Sequence, residues 1–289
     1  MIPSAFEYHR PASLAEAMQL LASREDAKLL SGGHSLLPMM KLRLATPSVV
    51  IDIGRLDELH GIQETGGAII IGANVTHYEA ETSAVLQQQC PILAETAAAI
   101  GDVQVRNVGT IGGSVAHADP SADWPAAMLA VDAEITLAKT GGTRTVSASD
   151  FFVDLLMTDM EADEILTHIR VNANPPRTGG AYLKVPQPAS GFALAGVAAQ
   201  VTLGPDNTIQ RVAVGITGVD SKAFRARATE AALHGQAATE AVISQAAAKA
   251  TDGVDALEDI HASATYRLHL ARVYTKRALL QAVERAQNA

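Results

Sequence analysis

The chain has 289 residues, of which 48% are hydrophobic, and this suits one to three globular domains with a substantial core. The formal net charge of −9 argues against a nucleic-acid-binding surface, because neutralising phosphates requires clustered Lys and Arg. The single cysteine, Cys90, excludes an intrachain disulfide, a cysteine-ligated iron–sulfur cluster and a cysteine-rich zinc site. The sequence has neither a signal-peptide pattern nor a long apolar run, so we expect a cytoplasmic protein without a membrane span.

Short strands and helices alternate through the first part of the chain. Ser13 and Glu16 have capping-box spacing and predict a helix that ends near Ser23. Further helices are predicted at 76–81 and 86–100, the second begun or bent by Pro91. Apolar runs predict strands at 27–30, 49–53, 68–72, 133–138, 144–146 and 164–171.

The segment 172–180 is rich in Asn, Pro and Gly and predicts a domain boundary near residue 176 with no regular structure. Beyond it the sequence predicts three strands, at 181–185, 192–203 and 208–219, and then a helical tail from residue 224 to 289. In the last helix, apolar residues recur every four positions and predict a buried stripe of Tyr266, Leu270, Tyr274 and Ala278.

Two glycine-containing segments stand out. Residues 28–36 (KLLSGGHSL) place two glycines and Ser35 directly after an apolar strand, where the backbone can leave consecutive N–H groups free for an anion. Residues 109–114 (GTIGGS) have the wrong spacing for a Rossmann fingerprint and lack the Lys of a P-loop. Each segment alone is compatible with an ordinary turn. Together, two Gly-Gly turns followed by hydroxyl residues predict a diphosphate site built from backbone donors, because no basic patch is available.

Longer motifs around these segments resemble one family. Residues 31–38 (SGGHSLLP) resemble the A-G-G-H-S-L motif of the FAD subunits of carbon monoxide dehydrogenase-like molybdenum hydroxylases. Residues 100–107 (IGDVQVRN), leading into 110–114, resemble that family's second motif. Residues 119–123 (DPSAD) resemble a continuation shared with the xanthine dehydrogenase flavin domain, and the resemblance extends to residues 266–270 (YRLHL) and over essentially the whole chain.

The resemblance implies an α+β architecture with the vanillyl-alcohol-oxidase type of FAD-binding fold. An FAD-binding domain would span residues 1–176, with two α/β subdomains at about 1–55 and 56–176. A C-terminal flavoprotein domain, residues 177–289, would hold a three-stranded antiparallel sheet and a helical bundle.

The resemblance also implies a set of cofactor-binding residues. The backbone of 31–35 and 110–114 would hold the FAD diphosphate, and Asp123 would accept hydrogen bonds from ribose or ribityl hydroxyls. Phe192 would lie beside the isoalloxazine with Lys184 near it, although Gly191 replaces an acidic residue frequent in relatives. The full set is Lys28, Leu29, Leu30, Ser31, Gly32, Gly33, His34, Ser35, Leu36, Ile100, Val105, Gly109, Thr110, Gly112, Gly113, Ser114, Asp123, Ile165, Leu166, Lys184 and Phe192.

Other conspicuous side chains are given structural interpretations. His34, His77 and His117 could touch the cofactor but have no metal-site spacing, and we expect His77 to be structural. Trp124 is expected to pack in the core, and the acidic cluster Glu161, Asp163 and Glu164 to form a solvated turn.

As a function, the resemblance implies an electron-transfer subunit with no catalytic side chain or metal site of its own. It would take electrons from a small 2Fe–2S subunit and pass them to an external acceptor, while a large subunit with a molybdopterin cofactor oxidises carbon monoxide, an aldehyde or an N-heterocycle. The assembly would be a dimer of heterotrimers. Two alternatives stay open: a self-contained flavin oxidase or dehydrogenase of the same fold, and a non-enzymatic subunit without cofactor.

Overall fold

The structure is a computed structural model that describes all 289 residues. Its first unit is a parallel three-stranded sheet in the order β1-β3-β2. Helix α1 begins after Ser13, whose hydroxyl accepts the backbone N–H of Glu16, so the predicted cap is confirmed. The elements are β1 (Glu7–His9), α1 (Leu14–Ala22), β2 (Ala27–Leu30), α2 (Leu36–Lys41) and β3 (Val49–Asp52).

The second unit is an antiparallel five-stranded sheet, in the order β4-β5-β10-β6-β7, with seven helices around it. Its strands are β4 (Ile62–Thr65), β5 (Ala68–Gly72), β6 (Glu134–Lys139), β7 (Gly142–Ser147) and β10 (Ile165–Asn172). Its helices are α3 (His77–Thr82), α4 (Ala84–Gln89), α5 (Pro91–Ala98), α6 (Val103–Arg106), α7 (Ile111–His117), α8 (Asp123–Ala130) and α9 (Ala148–Phe151). A small hairpin of β8 (Phe152–Asp154) and β9 (Met157–Thr158) precedes β10.

The C-terminal sheet has four strands and not the three that were predicted. It contains four antiparallel strands, β11 (Thr178–Pro186), β12 (Ala193–Leu203), β13 (Ile209–Thr217) and β14 (Phe224–Arg225), followed by helices α10 (Arg227–Leu233), α11 (Glu240–Ala247) and α12 (Ala264–Asn288). The predicted helical tail includes the residues of β14, because a strand of two residues is too short to show an alternating pattern. It pairs with Gly215 and Ile216, and the Arg225 guanidinium forms ion pairs with Asp132 and Glu230.

The predicted stripe of α12 is only partly correct. Leu270 and Ala278 are buried, but Tyr266 is exposed, and the buried face instead continues through Ala271, Thr275 and Leu279. A repeat of four residues drifts around a helix of 3.6 residues per turn, so one such row cannot stay on one face. The segment predicted to lack regular structure also ends earlier, since β11 starts at Thr178.

Helix α8 lies between the second unit and the C-terminal sheet. All eight of its residues are buried, including Trp124, which has no exposed surface. A β-carbon at Gly215 of β13 would lie 2.1 Å from the Ala126 carbonyl oxygen, so glycine is required for this close approach. The contact fixes the C-terminal sheet against the helix that begins at Asp123. No helix in the structure combines the length and apolar character needed to span a membrane.

Candidate cofactor site

A cavity of about 740 Å³ lies where β2, α7 and the loop between β11 and β12 meet. This is within the range of about 300–1,000 Å³ that is usual for small-molecule sites. Twenty of the twenty-one predicted site residues line it, so the structure brings together segments as distant as residues 28–36 and Phe192. Lys184 is the exception. It lies behind the wall, with its Nζ 2.9 Å from a carboxylate oxygen of Asp123.

The first glycine segment forms a nest of free donors at the end of β2. The backbone N–H groups of Gly32, Gly33, His34 and Ser35 donate to no group of the chain, and neither does the Ser35 hydroxyl. Gly33 has φ of +70°, a left-handed conformation that favours glycine and turns successive N–H groups to one side. Four adjacent unpaired N–H groups on a cavity wall are suited to the oxygens of a phosphate.

The second glycine segment differs from the predicted turn. Gly112 and Gly113 lie in the first turn of α7, whose N-cap residue Thr110 accepts the Gly113 N–H at 3.2 Å. The N–H groups of Ile111 and Gly112 donate to the carbonyls of Val75 and Ala73, both at 2.9 Å. The expectation that the backbone of 110–114 is free for a diphosphate is therefore wrong for most of the segment.

Only one backbone N–H group of this segment is free. The N–H of Ser114 donates to the Thr110 carbonyl, whereas the N–H of Thr110 itself has no acceptor within the chain. Gly112 is required for packing, because a β-carbon there would lie 2.5 Å from the β-carbon of Ala73. The glycine lets α7 pack closely against the segment that follows β5.

A directed chain of hydrogen bonds joins the two glycine segments. The Ser31 hydroxyl donates to the side-chain oxygen of Asn74 at 2.6 Å and lies 3.0 Å from the Thr110 hydroxyl. The Asn74 amide nitrogen donates to the Ile53 carbonyl at 2.6 Å, so its oxygen must face Ser31. Because the Ser31 proton is already engaged, Thr110 donates to Ser31. Asn74 is not among the residues predicted from the sequence, although a polar residue that follows the apolar run of β5 could have indicated its role.

Asp123 is more completely paired than expected. Its carboxylate accepts hydrogen bonds from the Tyr182 hydroxyl and from Lys184, whose Nζ also donates to the Gly191 carbonyl at 2.7 Å. Burial raises the pKa of Asp123, and the Lys184 charge opposes that rise. Burial also raises the pKa of Tyr182 well above its usual value. A carboxylate offers about four lone-pair sites. Further acceptance from ligand hydroxyls at Asp123 therefore remains a prediction.

His77 lies in the cavity wall and forms a buried hydrogen-bonded pair with Trp124. Its side chain is only 5% exposed, and its Nδ1 accepts the indole N–H of Trp124 at 3.0 Å. Burial lowers the pKa of His77 to about 4, and the nearby His34 and Arg106 act in the same direction. Trp124 is in the core as expected. His77, by contrast, is both structural and part of the cavity wall.

Apolar side chains form part of the cavity wall. They include Ile165 and Leu166 of β10, Met157, Met160, Ile100 and Phe192. Phe192 precedes β12 in a loop and is 44% exposed, so the predicted strand starts one residue too early.

The predicted solvated turn is wrong for Glu164. This residue is 3% exposed and forms a two-point ion pair with Arg144 through Nε and Nη2. The hydrogen bond from Arg144 lowers the pKa of Glu164. A carboxylate is costly to bury without a partner, and the sequence does not show that Arg144, twenty residues away, pairs with this one.

These donors fit a flavin dinucleotide. Lys28 is the only Lys or Arg that lines the cavity, so a diphosphate would be held mainly by the four free N–H groups and neutral side chains. Apolar side chains are available for aromatic rings. No cluster of His, Cys, Asp and Glu suited to a metal is present.

Comparison with known proteins identifies the family. Residues 4–173 match the model of the FAD binding domain in molybdopterin dehydrogenase, and residues 180–282 match the carbon monoxide dehydrogenase flavoprotein C-terminal domain. The chain is 43% identical to the carbon monoxide dehydrogenase medium chain of Hydrogenophaga pseudoflava, with 96% of this chain and 97% of that one covered. It is 37% identical to the corresponding chain of Afipia carboxidovorans, with both chains covered completely.

A solved structure extends this similarity to three dimensions. A chain of carbon monoxide dehydrogenase from Hydrogenophaga pseudoflava superposes with a TM-score of 0.96 at 44% identity, with 99% of each chain covered. The resemblance seen in the motifs is thus confirmed, as are the mixed α/β character of the fold and FAD as the cofactor. The chain belongs to the family of FAD-binding medium subunits of carbon monoxide dehydrogenase and related molybdenum hydroxylases, and is an oxidoreductase flavoprotein.

Proposed function

We propose that this subunit carries electrons from a 2Fe–2S cluster in a small partner subunit to an external acceptor. A large partner subunit with a molybdopterin cofactor would oxidise carbon monoxide, an aldehyde or an N-heterocycle. The proposal further places the complex in the cytoplasm as a dimer of heterotrimers. A free thiol such as that of Cys90 stays reduced in that compartment.

One observation carries the proposal: four consecutive free N–H groups, at residues 32–35, line a cavity that nearly all of the predicted site residues also line. When bound, FAD supplies the redox chemistry, exchanging electrons singly or in pairs. The chain's own residues bind and orient. The nest would hold the diphosphate, with Thr110 adding one N–H donor and the Ser35 and Ser114 hydroxyls lying close by.

The remaining predicted residues would contact the rings and sugars. Lys28, Ile165 and Leu166 would form walls of the site with Ile100 and Val105, and Phe192 would lie beside the isoalloxazine. Asp123 would accept from hydroxyls of the cofactor. Lys184 would act from behind the wall, since its Nζ bonds Asp123 and the Gly191 carbonyl beside Phe192.

The domain plan belongs to the same proposal. Residues 1–176 would form the FAD-binding domain, in two subdomains divided near residue 55, with the topology of the vanillyl-alcohol-oxidase type. Residues 177–289 would form the C-terminal flavoprotein domain. The three-stranded and five-stranded sheets before residue 176 and the four-stranded sheet after it support this division.

The self-contained oxidase is disfavoured by the lining of the cavity. After residue 177, only Ser190, Gly191 and Phe192 reach it. An oxidase of this kind needs a capping domain that brings acid–base groups over the flavin. A loop with one hydroxyl and one phenyl ring offers little for that task.

The experiment is purification of the native complex followed by metal analysis and stopped-flow flavin reduction. We expect iron and molybdenum to copurify. Flavin reduction should be rapid in the complex with a molybdenum-site substrate, whereas the isolated FAD-loaded chain should not be reduced by the same substrate. A complex without iron and molybdenum, or rapid reduction of the isolated chain, would contradict the proposal.

A further inference from the structure

The buried pair of Trp124 and His77 fixes the proton positions on an imidazole in the cavity wall. An indole N–H can only donate, so Nδ1 of His77 must be the unprotonated nitrogen that accepts it at 3.0 Å. In a neutral imidazole the proton then resides on Nε2. Burial of the ring, which lowers the pKa of His77 to about 4, maintains that neutral form at physiological pH.

The Nε2 atom has no partner within the chain. It forms no hydrogen bond in the chain, and it is not one of the fully buried unpaired side-chain atoms, so it is accessible from the cavity that His77 lines. A β-carbon placed on Gly109 would lie 2.7 Å from Nε2, so this atom lies alongside the second glycine segment. Gly109 in turn meets the first segment, because a β-carbon on Gly32 would lie 2.9 Å from the α-carbon of Gly109.

We propose that His77 is a cofactor-binding residue that donates its Nε2–H to a diphosphate oxygen of FAD, with Trp124 as the positioning residue that sets its tautomer. The assignment rests on the function proposed above. An N–H donor that faces the cavity without an acceptor in the chain is available to a ligand, and a phosphate oxygen at the junction of the two glycine segments would accept it. A neutral donor is also suited to a site where Lys28 is the only Lys or Arg.

Two substitutions of His77 distinguish the roles of its two ring nitrogens. The side-chain oxygen of His77→Asn can replace Nδ1 as the acceptor for Trp124, but the variant has no group at the position of Nε2. The amide nitrogen of His77→Gln reaches that position and keeps the donor. The two variants are otherwise matched in polarity, so packing losses affect both.

The test is titration of the full chain with FAD by calorimetry, with 31P spectra of the bound cofactor. We expect His77→Asn to weaken FAD binding about 10-fold or more, the usual effect of losing one hydrogen bond to a charged group. His77→Gln should stay within about 3-fold of the native chain. The diphosphate resonances should move in His77→Asn and change little in His77→Gln.

Trp124 provides a second readout because it is the only tryptophan of the chain. Its emission should respond to FAD in the native chain and in both variants, which shows that the cavity is still formed. Native-like affinity in His77→Asn, equal losses in both variants, or unchanged 31P resonances would overturn the inference. If the native chain binds no FAD, the proposed function fails instead, so the two failures are distinguishable.

Discussion

The hydroxyl oxygen of Ser31 lies 3.0 Å from that of Thr110, and this contact joins two glycine-containing segments that are 79 residues apart. Asn74 completes the connection by accepting the Ser31 proton. Each member donates in one direction only, so the chain of bonds has a defined polarity from Thr110 to the Ile53 carbonyl. The free N–H groups of residues 32–35 are thereby positioned against the start of α7.

The Ser31–Thr110 contact can be measured with a double-mutant cycle. Ser31→Ala leaves the Asn74 oxygen without its donor and the Thr110 hydroxyl without its acceptor, and Thr110→Val also removes the cap of α7. We expect each single change to lower the free energy of unfolding by about 1–3 kcal/mol. The double variant should lose less than the sum, with a coupling of about 0.5–1.5 kcal/mol. Strict additivity would show that the two hydroxyls do not interact.

Gly32 is required by contact between the segments. Its β-carbon would lie 2.2 Å from the Val108 carbonyl oxygen, which belongs to the backbone and cannot rotate away. Gly32→Ala should therefore separate the two segments, lowering stability by about 1–3 kcal/mol and weakening FAD binding. Gly142→Ala is the matched control, because nothing lies within 4 Å of that position. Calorimetric titration of both variants checks this, and equal behaviour would refute the role of Gly32.

Removal of the Lys184 charge isolates Asp123. Lys184→Met keeps the length of the side chain but leaves a buried carboxylate without its cation, which we expect to cost about 3–5 kcal/mol of unfolding free energy at neutral pH. Burial already raises the pKa of Asp123 and Lys184 opposes this, so the substitution raises it further. The folded variant then binds a proton more readily than the unfolded chain, and its deficit should shrink as the pH falls towards 3.8.

Denaturant unfolding at several pH values measures this effect. The double variant Asp123→Asn with Lys184→Met is the control, since it contains no charge at the pair and should not show the recovery at low pH. A deficit in Lys184→Met that does not change with pH would mean that lost packing dominates.

His77 makes the native chain less stable as the pH falls. Its folded pKa of about 4 lies below the ordinary 6.5, so the unfolded chain binds the proton first as the pH falls. This component of stability is complete above pH 6.5 and is lost progressively as the pH falls to about 4, and the total loss is about 3 kcal/mol. The loss includes the Trp124 bond, since a protonated Nδ1 cannot accept it.

The measurement is the difference in unfolding free energy between the native chain and His77→Gln across that interval. Subtraction removes the contributions of the other titratable groups, including His34 and Arg106 near His77. We expect the native chain to lose more stability than the variant on acidification. Parallel curves would show that His77 is already exposed to protonation in the folded chain.

Some local elements are found where the sequence predicts them. Strand 27–30 and the cap at Ser13 depend on neighbouring residues alone. The helix predicted at 86–100 is instead two helices, α4 and α5, divided at Pro91, and helices α7 and α8 beside the site were not predicted. Helix α6 was missed because its single turn, capped by Asp102, is too short for a periodic pattern.

Long-range partners could not be read from the sequence. The N–H groups of 111–113 were expected to be free, but Val75, Ala73 and Thr110 accept them. In the same way, Glu164 resembled surface charge until Arg144, twenty residues away, supplied its partner. The cavity contacts of His77 depend on Trp124, 47 residues further along.

A crystal structure of the FAD-bound chain tests the central claim most directly. We predict that the diphosphate oxygens lie within about 3 Å of the backbone nitrogens of residues 32–35, which donate to no group of the chain. A diphosphate bound elsewhere, with these four N–H groups still unpaired, would contradict the account.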